Sequence, residues 1–173
     1  MLESNSFPKG QKGFGLTEVI VSMLVLGIAV IGFAALQIRA LDTTSDAMFR
    51  TQAMALAQDL GERMMLNPDP TASAVYRGVW SPATMPNYKC ETTACTPAEM
   101  AQYDMKTMDE LVKASLPNGQ IALIKCINRN NYCVYVAWNK TTATKGSAAP
   151  HCSTDQDTFV AEADCVKLET SLL

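Results

Sequence analysis

Histidine is nearly missing from this chain: His151 is the only one in 173 residues. A single histidine with no nucleophile motif around it argues against hydrolytic chemistry, and no glycine loop of the kind that cradles phosphate occurs. C-x-x-C pairs are missing too. The spacings of Cys90, Cys95, Cys126, Cys133, Cys152 and Cys165 give no zinc module, although His151 beside Cys152, with Cys165 downstream, invites a metal reading. Basic residues form no stripe and the formal charge is -3, so nucleic acid is not an expected partner. No catalytic residue, metal or cofactor is expected. Asp155 and Asp157 are the kind of pair a calcium loop uses, yet two aspartates in a loop are ordinarily just solvated.

Two further absences are informative in the other direction. From Val19 to Leu36 there is no charged residue and Ser22 is the only polar one. Such a run is at the lower end of what spans a bilayer. Proline is absent from Phe14 to Asn67, and Asn67-Pro68 then supplies a stop, because the residue before proline avoids helical angles. One long helix is therefore predicted. From residue 38 its pattern changes to a stripe of Ile38, Leu41, Phe49, Ala53, Leu56, Leu60 and Met64, opposed by Asp42, Asp46, Gln52, Asp59 and Arg63. That spacing predicts an amphipathic helix lying on a globular partner. Gly27 and Gly32 weaken the upper half by about 1 kcal/mol each relative to alanine. Glycine is common in membrane helices, but these two also mark a segment able to bend.

The amino end admits three readings. A removable secretory signal would cut at Ile38-Arg39-Ala40, with an arginine inside the site and Glu18 opening the apolar run. A plain anchor leaves Glu18 costly and unexplained. Cleavage at Gly13-Phe14 would instead free an amine on Phe14, on the same helical face as Glu18 four residues later. That amine is largely cationic at neutral pH, and the helix dipole favours a carboxylate in the first turn. Lys9 and Lys12 against Glu3 make the first thirteen residues slightly basic, which favours a cytoplasmic amino terminus and an exported remainder. An even set of cysteines behind such a segment points to an oxidising compartment.

"KGFGLTEV", residues 12 to 19, resembles the type III signal of type IV pilins: glycine before the cut, phenylalanine after it, glutamate fifth. "GFAALQIRAL" and "TQAMALAQDLGERMMLNP" are similar to the minor pilins of the PilV family, the type IV pilus modification proteins. The likeness is dense over residues 13 to 68 and loose beyond, in "CETTACTPAEMAQYD", "LPNG" and "YVAW". Gly15 and Thr17 depart from the commoner pilin residues without touching Gly13, Phe14 or Glu18. The resemblance implies cleavage at Gly13-Phe14 by prepilin peptidase and N-methylation of Phe14. By charge and position alone, Glu18 can pair with the Phe14 amine of its own chain in the bilayer and, in a filament, with that of a neighbouring subunit. The resemblance also implies an α+β pilin fold, with a long N-terminal helix packed on a small antiparallel sheet and an extra helix in the connecting loop. The divisions expected are a leader at 1–13, a membrane or filament-core half-helix at 14–37, an amphipathic half at 38–67 and a periplasmic globular domain at 68–173. The function implied is that of a low-copy minor pilin priming pilus assembly with other minor pilins and the major pilin, at the tip. It would sit in the inner membrane, domain periplasmic, before entering the fibre. A type II secretion pseudopilin is the alternative, and a membrane-anchored periplasmic binding domain that never assembles is a second one.

Within the globular part, "NPDPTASAVYRGVWSPATMPNY" reads as a long surface loop in which Tyr76, Val79 and Trp80 pack down. Thr96, Pro97 and Glu99 form a capping-box start for a helix from Pro97 to about Ser115, burying Met100, Met108, Leu111 and Val112. Met64 and Met65 read as core filler. "QIALIKCI" and "YCVYVAW" are strands around an asparagine-rich turn, and a two-residue turn at Arg129-Asn130 would place Cys126 opposite Cys133. A third strand is expected over residues 158 to 169. The candidate disulfides are Cys90–Cys95, Cys126–Cys133 and Cys152–Cys165, with other connectivities left open.

Overall fold

A computed structural model describes residues 13, 15–77, 85–127 and 131–171. The elements are α1 (Leu16–Leu66), α2 (Pro70–Tyr76), α3 (Pro97–Ser115), β1 (Gln120–Lys125), β2 (Tyr132–Ala137), β3 (Thr142–Lys145), β4 (His151–Ser153) and β5 (Cys165–Thr170). The chain divides into two compact units, the first ending at Ser45 and the second beginning at Asp46.

In the first unit, α1 runs helically through Gly27 and Gly32. Its apolar side chains are exposed, including Ile38 at 62% and Leu41 at 67%. The buried stripe expected from residue 38 therefore starts further along. In the second unit it comprises Ala53, Leu56, Ala57, Leu60, Gly61 and Met64, with Phe49 packed at its margin. Met65 is 56% exposed and is not core filler. The end of α1 is tied to the start of α3, where the Asn67 amide donates to Pro97 O at 2.8 Å.

The expected surface loop after Asn67 contains a helix instead. Asp69 caps α2 by accepting from the Thr71 N–H at 2.8 Å, and Pro70 occupies the first turn, where a missing N–H costs nothing. Ala72, Ser73 and Tyr76 are its buried residues. Proline here starts a helix rather than breaking one. Val79 and Trp80 lie outside the described residues.

The capping box of α3 is formed. Thr96 Oγ1 accepts from the Glu99 N–H, and the Glu99 carboxylate accepts from the Thr96 N–H at 2.8 Å. The inward face is Ala101, Asp104, Met105, Met108, Asp109 and Val112. Met100 is only half-buried and Leu111 is 40% exposed, so Ala101 and Met105 take the core positions assigned to them. Past α3, a side chain at Gly119 would stand 2.3 Å from Val112 O. Only glycine fits that approach.

The sheet runs β1-β2-β5, antiparallel throughout. Alternation divides its faces. Ile121, Leu123, Val134, Val136 and Val166 join the core with α1 and α3, while Cys133, Tyr135, Ala137 and Cys165 face a second cluster containing Ala143 and Cys152. That second face is covered by β3 and β4, a short parallel pair absent from the sequence reading. Cys133 stands opposite Ile124, not Cys126. The Cys126 N–H donates to Asn131 O, so the connection is longer than the expected two-residue turn, whose Arg129 and Asn130 lie outside the described residues. The third strand begins only at Cys165, because residues 158 to 164 form turns and one isolated bridge.

Candidate functional site

The amino end of α1 carries the residues singled out by sequence. Gly13 and Gly15 are exposed, and Phe14 lies outside the described residues. Glu18 sits in the first turn, its N–H donating to Gly15 O at 3.0 Å, and Ser22 Oγ donates to Glu18 O at 2.6 Å. The Glu18 side chain is exposed and its carboxylate has no ion pair among the described residues. A carboxylate there sits at the positive end of the helix dipole. Beyond it α1 is long and apolar enough to cross a membrane, with none of its most apolar window buried. An apolar surface of that extent needs lipid or protein against it.

The cysteines are all paired, as Cys90–Cys95, Cys126–Cys133 and Cys152–Cys165. The second bridge is diagonal across β1 and β2, which the register above requires. Disulfide sulfurs at 152 and 165 are not thiolate ligands, so the metal reading of His151 loses its partners. His151 itself is a strand residue. It opens β4, its Nδ1 lies 2.8 Å from Thr144 Oγ1, and its ring packs so close to Gly146 that a Cβ there would lie 2.1 Å away.

Asp157 departs furthest from its expected solvated role. It accepts from the Ile127 N–H at 2.6 Å and the Tyr135 hydroxyl at 3.0 Å, and it pairs with Lys145. Lys167 Nζ also donates to its carbonyl at 2.8 Å. Burial alone would raise the carboxyl, but the Lys145 contact and then the Ile127 and Tyr135 hydrogen bonds outweigh it, and the Asp157 pKa falls to about 2. Its oxygens are thus occupied by protein donors rather than held open for calcium. Burial, and beyond it the Asp157 charge, push the Tyr135 phenol up to about 12 against an opposing bond from Ser153.

A second polar cluster also went unread in the sequence. Asp104, buried on α3, accepts from Tyr76 Oη at 2.8 Å and Arg63 Nη1 at 3.1 Å, while Arg63 Nε reaches Asp59 at 2.9 Å. Burial first, then the Asp104 charge, raise the Tyr76 phenol well above its ordinary range, so it remains a donor. The available signal was a carboxylate lying on the apolar face of a helix. Both clusters hold elements together.

The family comparisons meet within the first half of α1. A prokaryotic N-terminal methylation motif matches residues 8–34, and a family described as type IV pilin Tt1218 matches residues 35–106. No curated protein and no solved structure matches the chain. The pilin family is structural rather than enzymatic, and its motif implies processing by prepilin peptidase and assembly with other pilins. The adjoining matches and the long helix packed on a small antiparallel sheet agree: the chain has the α+β architecture of the type IV pilin fold and is similar to that family over residues 35–106, behind a methylation motif at 8–34.

Proposed function

We propose that this chain is a minor pilin of the PilV kind, entering type IV pili at low copy and priming assembly with other minor pilins and the major pilin at the fibre tip. The observation that carries the reading is the methylation motif at residues 8–34 running directly into the pilin match at 35–106. Residues 12–32 and the stretches "GFAALQIRAL" and "TQAMALAQDLGERMMLNP" support the finer assignment. The precursor is held in the inner membrane by α1 with its carboxyl-terminal domain in the periplasm, where disulfides form. Prepilin peptidase cuts between Gly13 and Phe14 and methylates the new amine. Methylation preserves the cation, which Glu18 of the adjoining subunit then meets in the fibre.

Processing is the direct test. Protein extracted from membranes of the native cell should begin at Phe14, lighter by the first thirteen residues and heavier by one methyl group, by intact mass and amino-terminal sequencing. A chain that keeps Met1, or that starts near Leu41, would remove the basis for the reading. Recovery of the mature chain in sheared pili, rather than in a secretion complex, separates the pilus subunit from a pseudopilin.

A further inference from the structure

A cleft of about 590 Å³ opens between the α3–β1 turn, the segment after β2 and the turn before β5. Its volume falls within the range of ligand sites. Asn118, Asn139 and Glu162, three of the four non-glycine residues with positive φ among the described residues, all line it. Asparagine tolerates the left-handed region better than most residues, so Asn118 and Asn139 hold these turns without strain.

Those side chains are fixed by one another. Asn118 Nδ2 donates to Asn139 O at 3.3 Å, Asn139 Nδ2 donates to Asp164 Oδ2 at 3.0 Å, and Thr141 Oγ1 accepts from the Asp164 N–H at 2.9 Å. Each carboxamide still keeps a second N–H and an oxygen able to accept, and Asp164 keeps a second carboxylate oxygen. Glu162 and Lys140 carry no ion pair among the described residues. The cleft thus offers both acceptors and donors, which suits hydroxyl groups, since each hydroxyl donates and accepts. The surrounding backbone is already used: Asn139 N–H donates to Pro117 O, Thr142 N–H to Pro150 O, and Val160 N–H to Cys152 O. An extended peptide would therefore find no strand edge to join. Glu162 and Asp164 oppose an anionic ligand, Lys140 a cationic one. Pro150, Val160 and Ala161 supply a small apolar wall for the C–H face of a ring.

We propose that this cleft binds a short neutral saccharide through its hydroxyl groups. The inference is independent of assembly, because the cleft belongs to the second unit alone. The test applies the full-length protein, in detergent micelles, to an array of neutral, sialylated and sulfated oligosaccharides with extended peptides as a further arm. Neutral oligosaccharides should be retained. Asp164→Asn, which removes a charged acceptor, and Ala161→Trp, which fills the space, should each weaken their binding by at least about tenfold, the loss expected of a charge-assisted hydrogen bond. Thiol titration and melting establish that each variant is folded. If Asp164→Asn is not, Ala161→Trp decides, since that exposed side chain leaves the hydrogen-bonded chain intact. Retention of acidic glycans or peptides only, no retention at all, or neutral binding unchanged in the folded variants would overturn the assignment.

Discussion

Asp157 stands at a φ of 60°, a conformation aspartate tolerates better than most residues, and from it the side chain reaches three donors. The folded pKa of about 2 lies below the ordinary 3.8. A depressed carboxyl contributes stability that is fully present above about pH 4 and is lost as pH falls through about 2. The difference corresponds to about 2 kcal/mol. Asp157→Asn keeps the shape and the tolerated backbone while removing the charge that Lys145 faces. It should lower stability at pH 7 by up to about 2 kcal/mol and by progressively less toward pH 2, followed by urea denaturation across that range. A penalty independent of pH would mean that the packing, not the charge, matters. Nothing local reveals this role. Ile127, Tyr135 and Lys145 lie far from Asp157 in sequence, and β3 and β4, which help bring them together, are too short to show a period.

Elements follow the same division between local and distant causes. The length of α1 is written in its lack of proline, and α3 is written in a capping box that is satisfied within three residues. Both are legible for that reason. α2 was hidden because a stretch rich in proline, serine and threonine looks like a loop, although Asp69-Pro70 repeats the logic of Thr96-Pro97. The hairpin strands were legible, but their register was not, since a turn of uncertain length shifts every facing pair. Helix docking depends on Asp104, which joins α3 to Arg63 of α1 and Tyr76 of α2. Asp104→Ala should leave a buried phenol and a partly buried guanidinium short of a partner, costing about 1–3 kcal/mol. Asp46→Ala removes an exposed pair with Arg50 and should cost no more than about 0.5 kcal/mol. Denaturant midpoints of the two variants compare them directly, and equal losses would show that the cluster adds nothing to docking.

At the scale of the whole molecule, the first unit makes sense only as a surface awaiting cover. Its apolar residues are exposed along α1, and the membrane and the fibre both supply what they lack. Glu18 does not fit either environment unless a cation meets it. The proposed pairing with a neighbour's Phe14 amine meets that need, and it yields a prediction about assembly rather than folding. Glu18→Val should leave membrane insertion, Gly13-Phe14 cleavage and the second unit intact, because the segment only becomes more apolar. The amine would then enter the fibre unpaired, and deleting one partner of a buried pair costs about 3–5 kcal/mol. At equal expression the variant should accumulate in the inner membrane and be depleted from sheared pili, measured by quantitative immunoblot of both fractions. Glu18→Gln retains an acceptor without charge and should show a milder form of the same defect. If Glu18→Val reached sheared pili at the wild-type level, intersubunit pairing would be the wrong account. Glu18 would then act within its own chain, as a first-turn carboxylate on the dipole of α1.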